Sequence, residues 1–300
     1  MPDRCHEMQR VAPADRLKLR AVYKFGGPIE DEESSAPQSR LKNAAIKIAT
    51  KLVYKYKARS GAELYNLCTS EEWASLIYAN LYCSKDIQVA LDLFFKDSLE
   101  LQCSNRWKWL LSQEQGLPEQ ETEIVNCLLA QEINPVYFVK CVRDVLQCNP
   151  KLKINCIKLL GLPNSGKSLI AQLICRNFIC SYNSNHGSEE SFFSNFLNRA
   201  IVLCEELYIT KATVEDYKSI LGGAPLDIEK KHVDKQILCR TPIIITSNYI
   251  LFGRGYLAPV DENAFTSRCY YFEFTKEFKP SCTVTASAMA SVFKTLYENK

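Results

Sequence analysis

The first half of the chain carries apolar residues at the spacing of helices. Between Leu41 and Tyr56 they recur every three or four residues, which is typical of one buried helical face. Thr69 and Glu72 have the spacing of a capping box, in which a hydroxyl and a carboxylate close the first turn of a helix. The pattern predicts a small all-helical domain over residues 38–130, and helical spacing continues to about residue 148.

Basic residues crowd the rest of the first predicted helix. They could form a basic surface for nucleic acid or a neighbouring subunit, or simply an ordinary solvated face, which is the commoner arrangement. The residues concerned are Lys42, Lys47, Lys51, Lys55, Lys57 and Arg59.

Beyond Pro150 the pattern changes to short apolar runs separated by helical stretches. Such runs are typical of strands buried on both faces, and their alternation with helices predicts an α/β domain with a parallel central sheet, which we place at residues 131–278. Residues 1–37 contain an acidic polar run and are predicted to be a disordered tail or linker, whereas 279–300 are predicted to form a helical C-terminal tail. The predicted strands are Ile154–Leu160, Ala200–Cys204, Pro242–Thr246 and Tyr270–Phe274.

Composition narrows the class of protein. With 47% hydrophobic and 24% charged residues, most of the chain should fold. No run approaches the roughly 20 apolar residues that span a bilayer, so we expect no membrane partner. The 14 cysteines are scattered through apolar runs, which favours reduced thiols over a disulfide framework. A net charge of +3 does not indicate nucleic-acid binding, so any such binding must be local.

The segment from Gly161 to Ser168 fits the pattern of a phosphate-binding loop. It follows an apolar run and precedes a helical one, which is the context that the pattern requires. Glycines let backbone N–H groups turn toward phosphate oxygens, Lys167 can reach the β- and γ-phosphates, and the Ser168 hydroxyl can bind Mg²⁺. The sequence therefore predicts a P-loop NTPase that uses ATP and Mg²⁺. The predicted nucleotide-binding residues are Gly161, Pro163, Asn164, Ser165, Gly166, Lys167 and Ser168.

Two further strand ends carry candidate catalytic residues. Glu205 and Glu206 follow the second predicted strand, where one carboxylate can hold the metal ion with Ser168 and the other can polarise the attacking water. Asn248 follows the third, where a polar side chain can sense the γ-phosphate or, alternatively, only begin a turn. We assign Glu205 to the metal ion and all three residues to catalysis.

These segments, in this order and this close together, resemble the superfamily 3 helicases of small DNA viruses. That family includes the parvovirus non-structural replication protein and adeno-associated virus Rep, together with the papillomavirus and polyomavirus motors. Thr241–Asn248 is similar to motif C of the family and Glu205-Glu206 to its acidic pair. The resemblance implies an AAA+-like fold for the α/β domain and an oligomerisation role for the helical one.

Two more segments take their predicted roles from the resemblance. Residues 221–235 look like the B′ hairpin, and Lys231-His232 matches the lysine-histidine tip that grips single-stranded DNA. A lysine can neutralise a backbone phosphate without reading sequence, although an exposed basic turn has the same appearance. Residues 264–268 are similar to the arginine-finger region, with Arg268 reaching the nucleotide of the adjacent subunit; Arg254 and Arg240 are weaker alternatives.

The resemblance implies an ATP-dependent DNA helicase that assembles as a ring, with a hexamer expected, and acts on single-stranded DNA and replication forks in the host-cell nucleus. The family's nickase uses two histidines flanking one hydrophobic residue, and no such triplet occurs here. We therefore expect a helicase fragment, or other replication proteins that recognise the origin. Two alternatives stay open: an ATPase for genome packaging or RNA remodelling, and an inactive interaction module.

Overall fold

The computed structural model describes residues 37–184, 193–230 and 233–298. The predicted N-terminal tail lies almost entirely outside these residues. No helix in these ranges combines the length and the apolarity that crossing a membrane would require. The helices are α1 (Pro37–Tyr56), α2 (Gly61–Leu67), α3 (Ser70–Ala79), α4 (Ser84–Ser104), α5 (Arg106–Leu111), α6 (Pro118–Ala130), α7 (Pro135–Leu146), α8 (Lys167–Cys175), α9 (Val214–Gly222), α10 (Pro259–Thr266) and α11 (Ala286–Glu298). The strands are β1 (Cys156–Gly161), β2 (Cys180–Ser184), β3 (Ile201–Glu205), β4 (Leu226–Lys230), β5 (Val233–Leu238), β6 (Ile243–Ser247) and β7 (Cys269–Phe274).

The N-terminal helices form a small core of their own. Leu52 and Val53 of α1 are buried against Leu64, Leu76 and Ile87 of the next three helices. The capping box predicted at α3 is present, since the Thr69 hydroxyl accepts the N–H of Glu72 and the Glu72 carboxylate accepts that of Thr69. The all-helical character of this part is therefore as predicted from the sequence.

Five parallel strands form the central sheet in the order β2-β3-β6-β1-β7. Successive residues of a strand point to opposite faces, so each strand supplies two cores. One face packs against α7, α8 and α11, and the other against α9 and α10. Helices on both faces explain why the three inner strands β3, β6 and β1 are mostly apolar on both faces. The predicted α/β class with a parallel sheet and a helical N-terminal part is confirmed.

The helices before residue 130, the predicted end of the helical domain, are divided between two hydrophobic cores. Trp107 and Leu110 of α5, and Ile124 and Leu128 of α6, belong to the core of the α/β part. The link to the N-terminal helices is α4, which begins in one core and ends beside the other. α11 joins the same core through Phe293, so the C-terminal segment packs on the α/β part.

An antiparallel hairpin of β4 and β5 interrupts the chain between β3 and β6. Leu226 pairs with Leu238 at its base, and Lys230 pairs with Val233 near its turn. The predicted DNA-binding residues Lys231 and His232 lie outside the described residues. The strand order along the chain therefore places a hairpin where the resemblance implied one.

Candidate nucleotide-binding site

The phosphate loop joins the end of β1 to the start of α8, and glycines occur where its backbone requires them. Gly161 has a φ of 151°, and a Cβ there would lie 1.9 Å from the Phe274 carbonyl oxygen on the neighbouring strand. Gly166 has a φ of 90° and directly precedes the first turn of α8. Asn164 is left-handed as well, with a φ of 59°. These conformations turn the loop around the helix N-terminus, where N–H groups without intrahelical acceptors favour an anion.

Lys167 and Ser165 converge on one carbonyl oxygen of the loop. The Lys167 Nζ donates to Leu162 O over 2.7 Å, and the Ser165 Oγ donates to the same oxygen over 2.7 Å. Lys167 is only 5% exposed. Burial lowers the pKa of its ammonium group, and the nearby Glu206 carboxylate acts in the opposite direction. The ammonium group is therefore held at the centre of the loop by a bond that a phosphate oxygen can replace.

A cavity of about 750 Å³ opens at the phosphate loop. One wall is the loop and the first turn of α8, from Asn164 to Leu169, and the other is the segment Glu277–Pro280, which follows β7. The Phe278 N–H donates to Asn164 O over 3.0 Å and so joins the two walls. No sequence motif marks this second wall, which is a basic and aromatic stretch just after the last predicted strand.

The acidic pair lies at the end of β3, where the backbone changes direction sharply. Glu206 has a φ of 52°, an uncommon conformation for a residue with a side chain, and its N–H donates to Thr246 O over 2.8 Å. The turn directs the Glu206 carboxylate to β6, where Oε2 accepts the N–H of Asn248 over 3.2 Å. Glu205 instead accepts a bond of 3.3 Å from Gln172 of α8. The two carboxylates thus have different partners, which is a basis for different roles.

The loop after Asn248 is held by two buried charged side chains. Glu262 of α10 accepts the N–H groups of Phe252 and Gly253 over 2.9 and 2.7 Å and is 7% exposed. Lys158 of β1 is 1% exposed, donates to Ile250 O over 2.6 Å, and lies 3.9 Å from the centre of the Phe252 ring. Burial lowers the pKa of Lys158. Sequence reasoning missed both residues, because neither belongs to a motif.

Arg254 lies on the same loop and packs on two aromatic rings. Its guanidinium is 4.1 Å from the ring centre of Tyr249 and 5.2 Å from that of Tyr208, and it donates to Glu206 O over 3.4 Å. The loop is therefore bound to the acidic pair at both of its ends.

Arg268 lies far from the phosphate loop of its own chain. It directly precedes β7, whose first residue Cys269 pairs with Cys156 at the start of β1, whereas the phosphate loop begins after the end of β1. Five residues of strand separate the two positions, or roughly 17 Å. The guanidinium donates from Nε to Lys218 O over 3.0 Å and from Nη1 to Ala264 O. Arg268 therefore does not contact the phosphate loop of its own chain in this structure.

The donor groups at the loop fit Mg²⁺. A hydroxyl at Ser168 and a carboxylate at Glu205 are oxygen ligands of the kind that this hard cation prefers. The bond from Gln172 fixes the Glu205 carboxylate beside α8, the helix that carries Ser168. The roles assigned to the individual site residues stay predictions.

Comparison with known proteins identifies the family. The model of the parvovirus non-structural protein NS1 family matches residues 97–300. The chain is 28% identical over 202 residues to the replication protein E1 of bovine papillomavirus type 3, covering 63% of this chain and 32% of that protein. It is 26% identical over 181 residues to the initiator protein NS1 of primate bocaparvovirus 1, covering 59% and 23%. The chain thus spans a third or less of these relatives.

The fold is shared with a solved viral helicase. A crystal structure of JCV helicase with a bound small molecule aligns with a TM-score of 0.55 at 14% identity, covering 76% of this chain and 77% of that one. The resemblance to viral superfamily 3 helicases that the motifs predicted is confirmed. Because the family model covers more than half of the residues, the chain belongs to the parvovirus non-structural protein NS1 family.

Proposed function

We propose that this chain is an ATP-dependent DNA helicase that hydrolyses nucleotide at a phosphate loop and moves along single-stranded DNA during viral genome replication. One observation carries the proposal. The loop with its buried Lys167 lies beside an acidic pair whose second member, Glu206, is bonded to the backbone of Asn248. Family membership and the fold shared with a viral helicase support it.

Each residue of the site has a distinct task in this proposal. Lys167 exchanges its bond to Leu162 O for a phosphate oxygen, and the N–H groups at the start of α8 bind the remaining oxygens. Ser168 and Glu205 would hold Mg²⁺, which when bound neutralises charge on the phosphates. Glu206 accepts a proton from the attacking water, while the Asn248 side chain, exposed at the end of β6, orients that water.

Strand displacement tests the proposal. We expect the purified chain to unwind a forked DNA in an ATP- and Mg²⁺-dependent reaction, and we expect Lys167→Ala to remove both nucleotide binding and unwinding. An RNA fork run in parallel separates the DNA helicase from an RNA-remodelling ATPase. ATP turnover without unwinding of either fork would contradict the helicase proposal, and Lys167→Ala with wild-type turnover would contradict the assignment of the site.

We further propose that the site is completed by a neighbouring subunit in a ring, with six subunits expected. The position of Arg268 at the opposite end of the sheet from its own phosphate loop supports this arrangement. The test is complementation between two inactive variants. Lys167→Ala keeps the arginine, and Arg268→Ala keeps the loop, so a mixture contains boundaries in which both partners are intact.

We expect each variant alone to be inactive and the mixture to recover a fraction of wild-type ATPase activity. Arg268 also binds the carbonyl groups of Lys218 and Ala264, so melting temperature is measured to separate misfolding from loss of the shared site. A folded mixture without recovered turnover would contradict sharing between subunits. Sedimentation with nucleotide measures the ring size.

The proposed place of action is the host-cell nucleus, in the company of replication proteins that recognise the origin. This proposal rests on the resemblance to DNA-virus helicases and on family membership. Imaging of the tagged chain in infected cells tests it, and exclusion from nuclei that contain replicating viral DNA would contradict it.

A further inference from the structure

A second cavity, of about 580 Å³, lies at the base of the hairpin and is lined by three arginines. Arg106 comes from the start of α5, Arg199 from the segment before β3, and Arg240 from the segment between β5 and β6. We call this cavity the arginine pocket. Since Arg199 precedes β3 and Arg240 precedes β6, the pocket lies at the opposite edge of the sheet from the phosphate loop. It is therefore separate from the nucleotide site.

The charge of Arg106 has no carboxylate partner in the described ranges. This residue is 8% exposed, and its Nε donates to Ala200 O over 2.6 Å. Its two terminal nitrogens donate to the sulfur atoms of Cys148 and Cys103, each over 3.4 Å. Thiols are weak acceptors, and buried charges are normally paired with an opposite charge. The environment of Arg106 therefore favours an anion.

The other two arginines add further positive charge without carboxylate partners among the described residues. The Nε of Arg199 is buried without a hydrogen-bond partner among the described residues, and its guanidinium lies 5.6 Å from the ring centre of Phe95. Arg240 donates to Leu152 O and Ile154 O, each over 2.8 Å. In the part of the chain that the structure describes, none of the three arginines forms an ion pair. Three arginine residues thus line one open cavity, and none of them is neutralised by a carboxylate of the described residues.

We propose that the arginine pocket binds a backbone phosphate of single-stranded nucleic acid, as a second contact behind the hairpin. Guanidinium groups suit phosphate because their planar donors bind two oxygens at once. The cavity is far larger than a small anion needs, since a water molecule occupies about 30 Å³. Its rim includes Ile237, which is 62% exposed and can contact a sugar or base.

The pocket's position relative to the hairpin favours a polynucleotide over a free phosphate ion. Gln236 and Ile237 of β5 form part of the pocket wall, and the same strand leads back to the hairpin turn. A strand of nucleic acid held at that turn is therefore within reach of the pocket: β5 has six residues, or roughly 20 Å. This inference rests on the proposed function in assuming that the hairpin meets a nucleic-acid strand.

Two substitutions in the full chain test the pocket without removing a structural bond to the core. Gln236→Glu places a carboxylate among the guanidinium groups with little change in shape. Arg199→Gln removes the arginine that has the fewest bonds. Gln115→Glu makes the same chemical change as the first variant on an exposed loop between α5 and α6, and is the matched control. Lys231→Ala reports on the hairpin.

We expect both pocket variants to bind a fluorescent oligothymidylate about fivefold more weakly at low salt, with the slope of log affinity against log salt reduced by about 0.7 per lost phosphate contact. Gln236→Glu should not lower the melting temperature, because its carboxylate pairs with the arginines. A purely structural role for the pocket would leave the affinity and the salt slope unchanged.

The outcomes separate the possible failures. Wild-type affinity and slope in both pocket variants, with weakened binding in Lys231→Ala, overturns the pocket and leaves the helicase proposal standing. Binding of inorganic phosphate by the wild type, lost in Arg199→Gln without any change in oligonucleotide affinity, overturns it in favour of a free anion. No oligonucleotide binding by the wild type overturns the proposed function itself.

Discussion

The buried carboxylate of Glu262 holds the loop that follows Asn248. Replacing this carboxylate tests whether its hydrogen bonds fix the loop in place. Glu262 accepts two backbone N–H groups, those of Phe252 and Gly253. In Glu262→Gln the amide oxygen can accept one of them, while the amide NH₂ faces the other donor. The substitution changes hydrogen bonding but not size, so cavity formation does not contribute.

The magnitude follows from the two bonds. Hydrogen bonds to a charged group each contribute about 1.5–3 kcal/mol, and one neutral bond of about 1 kcal/mol remains in the variant. The free energy of unfolding should therefore fall by about 2–5 kcal/mol. ATP turnover should fall as well, because Asn248 and Arg254 lie on the loosened segment and both contact Glu206.

The neighbouring residue gives a matched control. Asp261 of the same helix pairs with Lys218 over 2.8 Å, and both side chains are about a fifth exposed. Asp261→Asn should lower the free energy of unfolding by less than about 1 kcal/mol, since partly exposed ion pairs contribute little. Urea unfolding measures both variants. Equal losses, or a loss below about 1 kcal/mol for Glu262→Gln, would refute the argument that this carboxylate holds the loop.

Three further predictions concern other parts of the chain. Gly161→Ala should lower the free energy of unfolding by about 2–6 kcal/mol, through backbone strain and overlap with Phe274 O. Gly255 has a φ of 92° and open space around it, so Gly255→Ala should lower the free energy of unfolding by only about 1–3 kcal/mol. Equal losses in urea unfolding would be evidence against the overlap. Phe278 lines the cavity at the phosphate loop, so Phe278→Ala should weaken binding of a fluorescent ATP analogue several-fold without changing the melting temperature of the N-terminal helices. Unchanged affinity would show that Glu277–Pro280 is not part of the nucleotide site. Hydrogen bonds from Lys55, Tyr56 and Thr69 lower the pKa of Glu72 to about 2 from 4.5. The contribution of this carboxylate to stability is therefore complete above pH 4.5 and is lost as the pH falls toward 2. The difference in unfolding free energy between wild type and Glu72→Gln should shrink across that window, and a constant difference would contradict the lowered pKa.

The phosphate loop and most of the sheet could be predicted because their signals are local. The loop needs glycines at fixed positions, and four of the five sheet strands are continuous apolar runs within a residue or two of the predicted bounds. β2 was not predicted, since the sequence Cys-Ser-Tyr-Asn-Ser is mostly polar and the strand lies at an edge of the sheet. Its pairing with β3 depends on a distant segment, which no local pattern shows.

The positioning residues of the site could not be predicted for the same reason. Lys158 interrupts an apolar run, and a single lysine there has no evident role in the sequence. The fold brings it to the carbonyl group of Ile250, which is 92 residues away along the chain. The core that α5 and α6 join could not be predicted for a different reason. α5 and α6 have ordinary amphipathic patterns, and nothing in those patterns says which of two cores each helix will join.

The arrangement of α9 connects the proposed arginine finger to the hairpin. Arg268 donates to Lys218 O on α9, and the end of that helix is bound to the residue just before β1 by the bond from the Asn155 N–H to Leu221 O. Directly after α9, Gly223 packs so closely on Arg240 that a Cβ there would lie 2.6 Å from its Nε. In the proposed ring, an Arg268 that turned to a neighbouring nucleotide would exchange its bonds to Lys218 O and Ala264 O, the first of which helps to fix α9. Because β4 begins three residues after Gly223, we propose that a change at a subunit boundary of the ring would be transmitted to the hairpin and the arginine pocket through this short, closely packed segment.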